Sequence, residues 1–492
     1  MEIIELTPAE RRVWDAFPRG EGVDFREHPD EDPAAGSSWG PERTLRAEAL
    51  AALLLTGPTR DGQIAGLNVR GARITGKLVL KYADIDHGIR LRACLFERKP
   101  VVYGARLRGL WLTGSVLPGL TASTVTVDIA LRMDHCRITG PVRLAGARIA
   151  GGFFLQHAVI GDPDTACREG EEPPLQFNHA HVGADVMAEG LTVHGRTRIN
   201  GATVGGRINL DDARLLAPGG TALHAETLSV GTDLRAMRLQ ARGRVNLTGS
   251  RIPGQLNLAY ASFANPGGVA LRASSCTAGE LWLRECPTVQ GSVNLRRSTF
   301  DLLHVPPAVW PDRIRIDGLT YRTLAPHLPA EERLPALERE ESGYLPYAYE
   351  QLAAAYRTVG DEAAARTVQL AKLRRHRGTL PRHGRLWGLL QDATVGYGFQ
   401  PLRAAFWLVA LLLTGSLAYG MRPPPPLKPD EAPEFNPVFY TLDLMLPIIG
   451  FGQEQAFAPR GWAQWLSYLL IVTGWVLATT TAAGISRSLR RQ

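Results

Sequence analysis

The sequence predicts a mainly β protein: a solenoid wound from very short strands, then a helical segment and two hydrophobic stretches. Three observations predict it. Apolar residues recur in pairs two apart, and successive pairs step by five and six residues in alternation. Glycine is abundant, 51 of 492 residues, against a usual share of about 7%. The long charge-free apolar runs all lie in the last hundred residues. A hydrophobic content of 45% supports a large core and excludes a disordered tail protein. The glycines are not spaced every third residue, which excludes collagen. Five cysteines without a CxxC motif argue against a disulfide scaffold.

The first twenty residues, MEIIELTPAERRVWDAFPRG, have neither a basic nor an apolar leader region, so no secretory leader is expected. Arg46 to Leu55 is a helical run stopped by Thr56-Gly57-Pro58, and the segment 1–62 is assigned as an N-terminal helical cap. A cap is needed because an open coil end exposes unpaired backbone. The solenoid is placed at 63–302. Its unit is G-x-h-x-L-x-x-A-x-I, as in GKLVLKYADI, GPVRLAGARI, GRINLDDARL, GRVNLTGSRI and GSVNLRRSTF. A helix would need apolar positions three and four apart, and a long strand would keep alternating. Pairs broken by a turn fit a coil with four short sides, one small and one branched residue pointing inward. Glycine is expected where the backbone turns with positive φ or packs closely. About 22 residues per coil give about ten coils and a rod of about 50 Å. Insertions at 97–104, 161–175, 216–221 and 264–268 are expected as surface loops. Residues 303–327 are expected to close the other end.

On these A-x-I and G-x-L pairs the chain resembles degenerate pentapeptide-repeat proteins. The resemblance implies a right-handed quadrilateral β-solenoid, used as a binding or mimicry surface. The 5/6 alternation departs from that family's strict five. Taken whole, the chain is similar to actinobacterial solenoid proteins with a C-terminal membrane hairpin, a type often labelled membrane-associated oxidoreductases. That likeness implies a redox activity as one alternative, although the residues display no cofactor site.

Residues 328–400 change character. Tyr344 to Tyr356 and Asp361 to Arg377 have helical spacing around Gly360 and are read as a neck. Residues 401–492 are read as a membrane domain with spans at about 404–421 and 465–485. A basic cluster precedes the first span: Lys372, Arg374, Arg375, Arg377, Arg382, Arg385 and Arg403, with Arg366, against the single acid Asp392. Arg487, Arg490 and Arg491 follow the second. Positive charge marks the cytoplasmic side, so a hairpin with both termini in the cytoplasm is expected, its cluster facing inner-membrane lipids.

Between the spans, 436–452 (NPVFYTLDLMLPIIGFG) is read as a re-entrant helix, with Ile448, Ile449, Gly450, Phe451 and Gly452 as a pore-like candidate. The alternative is an interfacial helix with Asp443 facing water or a neighbouring helix. Thr394-Val395-Gly396-Tyr397-Gly398 matches a potassium-filter string but precedes the first span, and is read as a chance turn. His179 and His181 are placed on an outward face without metal-ligand spacing. Cys94, Cys136 and Cys276 fall on inward positions, and Cys286 and Cys167 near loops.

Dinucleotide, Walker, zinc-protease and nucleophile-elbow motifs are absent from the sequence. No catalytic residue, cofactor, metal or nucleic-acid partner is expected. The leading expectation is a membrane-anchored scaffold whose solenoid face binds an unidentified protein. An oligomeric pore subunit and an oxidoreductase are the alternatives.

Overall fold

The computed structural model describes residues 5–164, 172–395, 401–428, 430–446 and 450–489. The chain divides into two compact units, Met1–Gly360 and Asp361–Gln492. The boundary falls at Gly360, within the stretch read as a neck.

The first unit is a parallel β-solenoid of about 12 turns. A middle turn carries four short strands: Thr126–Val127, Ala130–Arg132, Arg137–Ile138 and Val142–Arg143. Each pairs in parallel with its equivalent one turn on, Thr126 with Arg148 and Arg137 with Val159. Inward positions alternate small and branched residues as the unit predicts: Leu144, Ala147 and Ile149 are buried, and one apolar cluster runs continuously through the unit. Where Ser replaces Ala, its hydroxyl is satisfied inside the coil: Ser115 Oγ donates to the Leu91 carbonyl at 2.9 Å and Ser250 Oγ to that of Ala225 at 2.9 Å.

There are more turns than the ten expected because both caps contribute rungs. At the N-terminal end, helix α1 (Pro8–Ala16) is closed by a capping box between Thr7 and Glu10. Val23–Asp24 then pairs with the first repeat strand, Val23 opposite Val69, and Thr44–Arg46 pairs with Arg73–Thr75. Helix α2 (Ala47–Thr56) buries Leu50, Leu53 and Leu54 in the core. At the other end Arg313–Arg315 and Thr320–Ala325 continue the two sheets. Helices α3 (Ala330–Glu338) and α4 (Pro346–Thr358) follow. Side chains saturate the last carbonyls: Arg339 Nη1 donates to Trp310 at 2.7 Å and Gln351 Nε2 to Tyr321 at 2.5 Å.

Two expected loops, 216–221 and 264–268, are instead bulges inside long strands. Arg214–His224 and Ser262–Arg272 stay in register on both sides of a shift. Residues 97–104 likewise stay in the ladder, through Val101 paired with Val79 and Thr121.

The corners use glycine less than the sequence suggests. Among the described residues thirteen corner residues with positive φ are not glycine, most of them just before a small inward residue, as at His135 before Cys136 and Arg297 before Ser298. Such a residue costs about 1 kcal/mol or more. Its N–H bonds to the adjacent coil (His135 N to Gln156 O, 2.7 Å) and the next N–H closes the turn (Cys136 N to Met133 O, 3.3 Å). The ladder thus enforces the corner whichever residue occupies it. Glycine is obligatory at another corner for close approach: a Cβ on Gly205 would lie 2.2 Å from the Gly183 carbonyl oxygen, and one on Gly231 1.8 Å from that of Gly205.

The second unit is helical: α5 (Glu362–Arg377), α6 (Arg382–Val395), α7 (Pro401–Met421), α8 (Pro437–Met445), α9 (Gln453–Ala456) and α10 (Trp462–Leu489). The stretches read as spans lie within α7 and α10. Among the described residues no helix is long and apolar enough to cross a membrane, and the expected two-span hairpin finds no support there. Helix α8 packs closely on both long helices: a Cβ on Gly415 would meet Thr441 Cγ2 at 2.5 Å, and one on Gly474 the Met445 carbonyl at 2.6 Å. Tyr419 is buried edge-to-face on Tyr440 and donates to the Ala463 carbonyl at 3.0 Å.

Candidate functional site: a basic strip and a carboxylate-pinned loop

Parallel stacking turns each outward position into a column with rungs about 4.8 Å apart. One column runs Arg143, Gln176, Arg198, His224, Asn246, Arg272, Asn294, Arg315. Arg196 and Arg244 lie beside it. Acids neutralise its two ends: Arg143 pairs with Glu172, Arg296 with Asp317 at 3.3 Å and Arg315 with Glu341 at 2.5 Å. The middle is different. The side chains of Arg196, Arg244 and Arg272 make no hydrogen bond or ion pair among the described residues, and their Nε atoms are shielded from water. Arg198 donates only to the Asn200 amide oxygen at 2.9 Å. One acid, Glu226, sits among them, held by Asn246 at 2.8 Å and by His224 at 3.4 Å. The result is a half-buried strip with an excess of positive charge, flanked by Asn and Ser groups.

Sequence reasoning missed this strip. The signal was the residue between the two apolar members of each pair (V-N-L, L-R-A, I-R-I). The insertions conceal which copies share a column until the strand register is known.

In the second unit the pore-like candidate is only partly described: Ile448 and Ile449 lie outside the described residues, whereas Gly450, Phe451 and Gly452 are within them. Asn436 caps α8, its side chain accepting from Val438 N at 3.0 Å and Phe439 N at 3.3 Å. Asp443, two residues before the end of α8, is buried. Its carboxylate accepts from the backbone N–H of Phe451, from Gln453 N at 2.7 Å and from Glu454 N at 3.2 Å. Of the two expected settings, water or a neighbouring helix, the second holds: Gln453 and Glu454 open helix α9, and Phe451 lies in the loop just before it. The first N–H groups of a helix have no intrahelical partner, and a carboxylate satisfies them better than a neutral oxygen would. Gly452 supplies the left-handed residue the loop needs, φ +83°. Gln453 locks the start of α8 by accepting from Asn436 N at 3.2 Å. A cleft of about 310 Å³ opens beside Gly452, bordered by Lys428 and Glu431.

The basic cluster of α5 and α6 divides into two sets. Arg374 and Arg377 both donate to Asp392, at 3.0 and 3.1 Å, and so brace α5 against α6. Arg375, Arg382, Arg385 and Arg403 are exposed. Lys372 is half-buried. Of the filter-like string, Thr394 and Val395 fall in α6, and 396–398 lie outside the described residues.

His179 and His181 are exposed on either side of buried Ala180. Among the described residues no group of three His, Cys, Asp or Glu could hold a metal. Cys94, Cys136 and Cys276 are inward and fully buried. Cys286, read as near a loop, is also buried and donates to the Leu258 carbonyl at 3.1 Å. Cys167 lies outside the described residues. Burial pushes the first three thiols up to about 12 and Cys286 to about 11. The thiolate is the reactive form. At pH 8 all four should therefore resist iodoacetamide in the folded protein and react after denaturation, as peptide mass mapping would show.

The fold defines the chain as a parallel β-solenoid protein with an appended helical unit. No protein-family model matches it, and comparison with curated proteins and with solved structures finds no match.

Proposed function

We propose that this protein is a membrane-anchored binding module: the helical unit holds it at the inner face of the cytoplasmic membrane, with the apolar faces of α7 and α10 seated in the bilayer, and the solenoid binds a partner. The observation that carries this is the apolar exterior of those helices. On α7 the stripe Phe406, Val409, Leu413, Leu417 and Met421 faces outward, with Leu413 66% exposed. On α10 the stripe is Trp465, Leu469, Val472 and Val476, with Trp465 76% exposed. Their opposite faces are packed with Leu408, Leu411, Leu412, Leu466 and Leu470. Helices apolar all round require a covering phase, and so large an apolar exterior is foreign to water. The exposed arginines Arg375, Arg382, Arg385 and Arg403 suit anionic headgroups. The repeat unit supports reading the coil as the right-handed, pentapeptide-like kind.

The binding face is the middle of the basic strip, and its partner is an extended acidic protein segment. Guanidinium groups take carboxylates in bidentate pairs. The strip has no large aromatic platform of the kind single-stranded nucleic acid stacks on. Full-length protein in detergent should bind fluorescent oligoglutamate in an anisotropy titration, more weakly as salt rises. Arg198→Glu with Arg272→Glu should weaken binding by about tenfold or more. Affinity unchanged by the double reversal would exclude this face. The anchoring is tested separately: the full chain should stay with membranes after alkaline carbonate washing, and release into the wash would refute it.

A further inference from the structure

Near the C-terminal end of the solenoid lies a partly open cavity of about 50 Å³. Its wall includes Leu303, Trp310, Ile316, Leu337 and Leu352. One charged side chain, Arg333 of α3, reaches this wall, and it is 8% exposed. The same side chain borders a second, smaller cavity of about 10 Å³ beside Tyr356 and Pro326.

The partners of Arg333 are all neutral. Nη1 donates to the Val305 carbonyl at 3.4 Å, Nη2 to that of Pro326, and the Tyr356 hydroxyl accepts as well. Among the described residues no carboxylate forms an ion pair with it. Glu332, its neighbour in sequence, is exposed. Burial works against the charge, drawing the guanidinium pKa down. Its field also reaches His304, whose pKa is lowered first by burial and then by Arg284 and Arg333.

A buried cation without a counter-charge is expensive, and proteins ordinarily pair it. Part of the role of Arg333 is structural, since it saturates carbonyls at the end of the coil. Arg339 and Gln351 do the same without leaving a charge beside a cavity, one because it is only half-buried and the other because it is neutral. The void exceeds the roughly 10–15 Å³ that one water needs. Its lining is mainly apolar and Arg333 is the one charged residue in it, a combination that suits a small organic anion.

We propose that this cavity is a binding site for a short-chain carboxylate of about two to four carbons, its carboxylate paired with Arg333 and its alkyl part against Leu303 and Leu352. The site is independent of the basic strip and of membrane attachment.

Full-length protein in detergent is titrated with sodium propionate, with sodium chloride and neutral propanamide as controls at matched ionic strength. Ligand-observed NMR and the melting temperature are the readouts. Propionate should bind and raise the melting temperature where chloride and propanamide do not. Arg333→Gln should weaken propionate about tenfold or more, the loss of a charge-assisted pair. Equal effects of propionate and chloride, or undiminished binding by R333Q, would overturn the proposal. Because Arg333 also holds the last coil, R333Q is paired with Ala336→Leu, which fills the cavity and keeps the arginine. Propionate binding should be lost in A336L, and its retention would likewise overturn the proposal.

Discussion

Replacing Gly231 by alanine should lower the melting temperature of the solenoid by about 10 °C or more, or prevent its folding. The added Cβ would sit 1.8 Å from the Gly205 carbonyl oxygen of the adjacent coil, and that oxygen is backbone with nowhere to move. Gly205 itself stands 2.2 Å from Gly183 by the same measure, so the corner is a column and the strain would pass from coil to coil. Overpacking of this severity costs about 3 kcal/mol or more. In a repeat array each turn depends on its neighbours, so one broken interface weakens both halves. Gly219 is the control. It lies on a bulge with φ +72° and open space around it, and alanine there should cost about 1 kcal/mol. Thermal melts of the two variants separate the explanations. Equal losses would mean that backbone conformation, not close approach, is what glycine supplies.

Replacing Asp443 by leucine should free the loop after α8. Three backbone N–H groups, of Phe451, Gln453 and Glu454, would lose their shared acceptor, that of Gln453 in a buried setting. Hydrogen bonds to a charged group contribute about 1.5–3 kcal/mol each, so a loss of about 2 kcal/mol or more is expected even if water replaces the two exposed ones. Asp443→Asn should fall between, because an amide presents one accepting oxygen in place of two. Hydrogen exchange reads this directly. The amides of 451, 453 and 454 should lose protection by at least about tenfold in D443L, while those in α1 stay protected. Unchanged protection in the loop would show that Asp443 does not hold it.

The sequence carried the coil far better than it carried the surfaces. The inward pairs were legible because burial acts on each residue separately: Leu144, Ala147 and Ile149 are where the five-and-six spacing places them. The extra turns were not legible, because Val23–Asp24 and Thr44–Arg46 lack the repeat unit and join only through pairing with the next coil. The corners misled for a related reason. His135, His157 and Arg297 hold positive φ because hydrogen bonds to neighbouring coils impose it, a non-local cause that composition cannot register. The arginine strip depends on register across insertions, so Arg198 and Arg272 become neighbours in a column only once folded. Asp443 was noticed as an acid in an apolar stretch. Its partners lie eight to eleven residues on, in a loop and the single-turn helix α9, too short to carry a periodicity.

The central claim, that the helical unit lies in a bilayer while the solenoid stays in water, is open to a fluorescence measurement. Full-length protein is reconstituted into vesicles containing lipids brominated along the acyl chain, which quench only tryptophans in contact with them. Trp407 on α7 and Trp462, Trp465 and Trp475 on α10 are exposed, whereas Trp39 and Trp310 are buried in the solenoid unit. The account predicts strong quenching in the native protein and its substantial loss when these four tryptophans are replaced by phenylalanine. Quenching that is absent, or that persists undiminished in the fourfold variant, would contradict it.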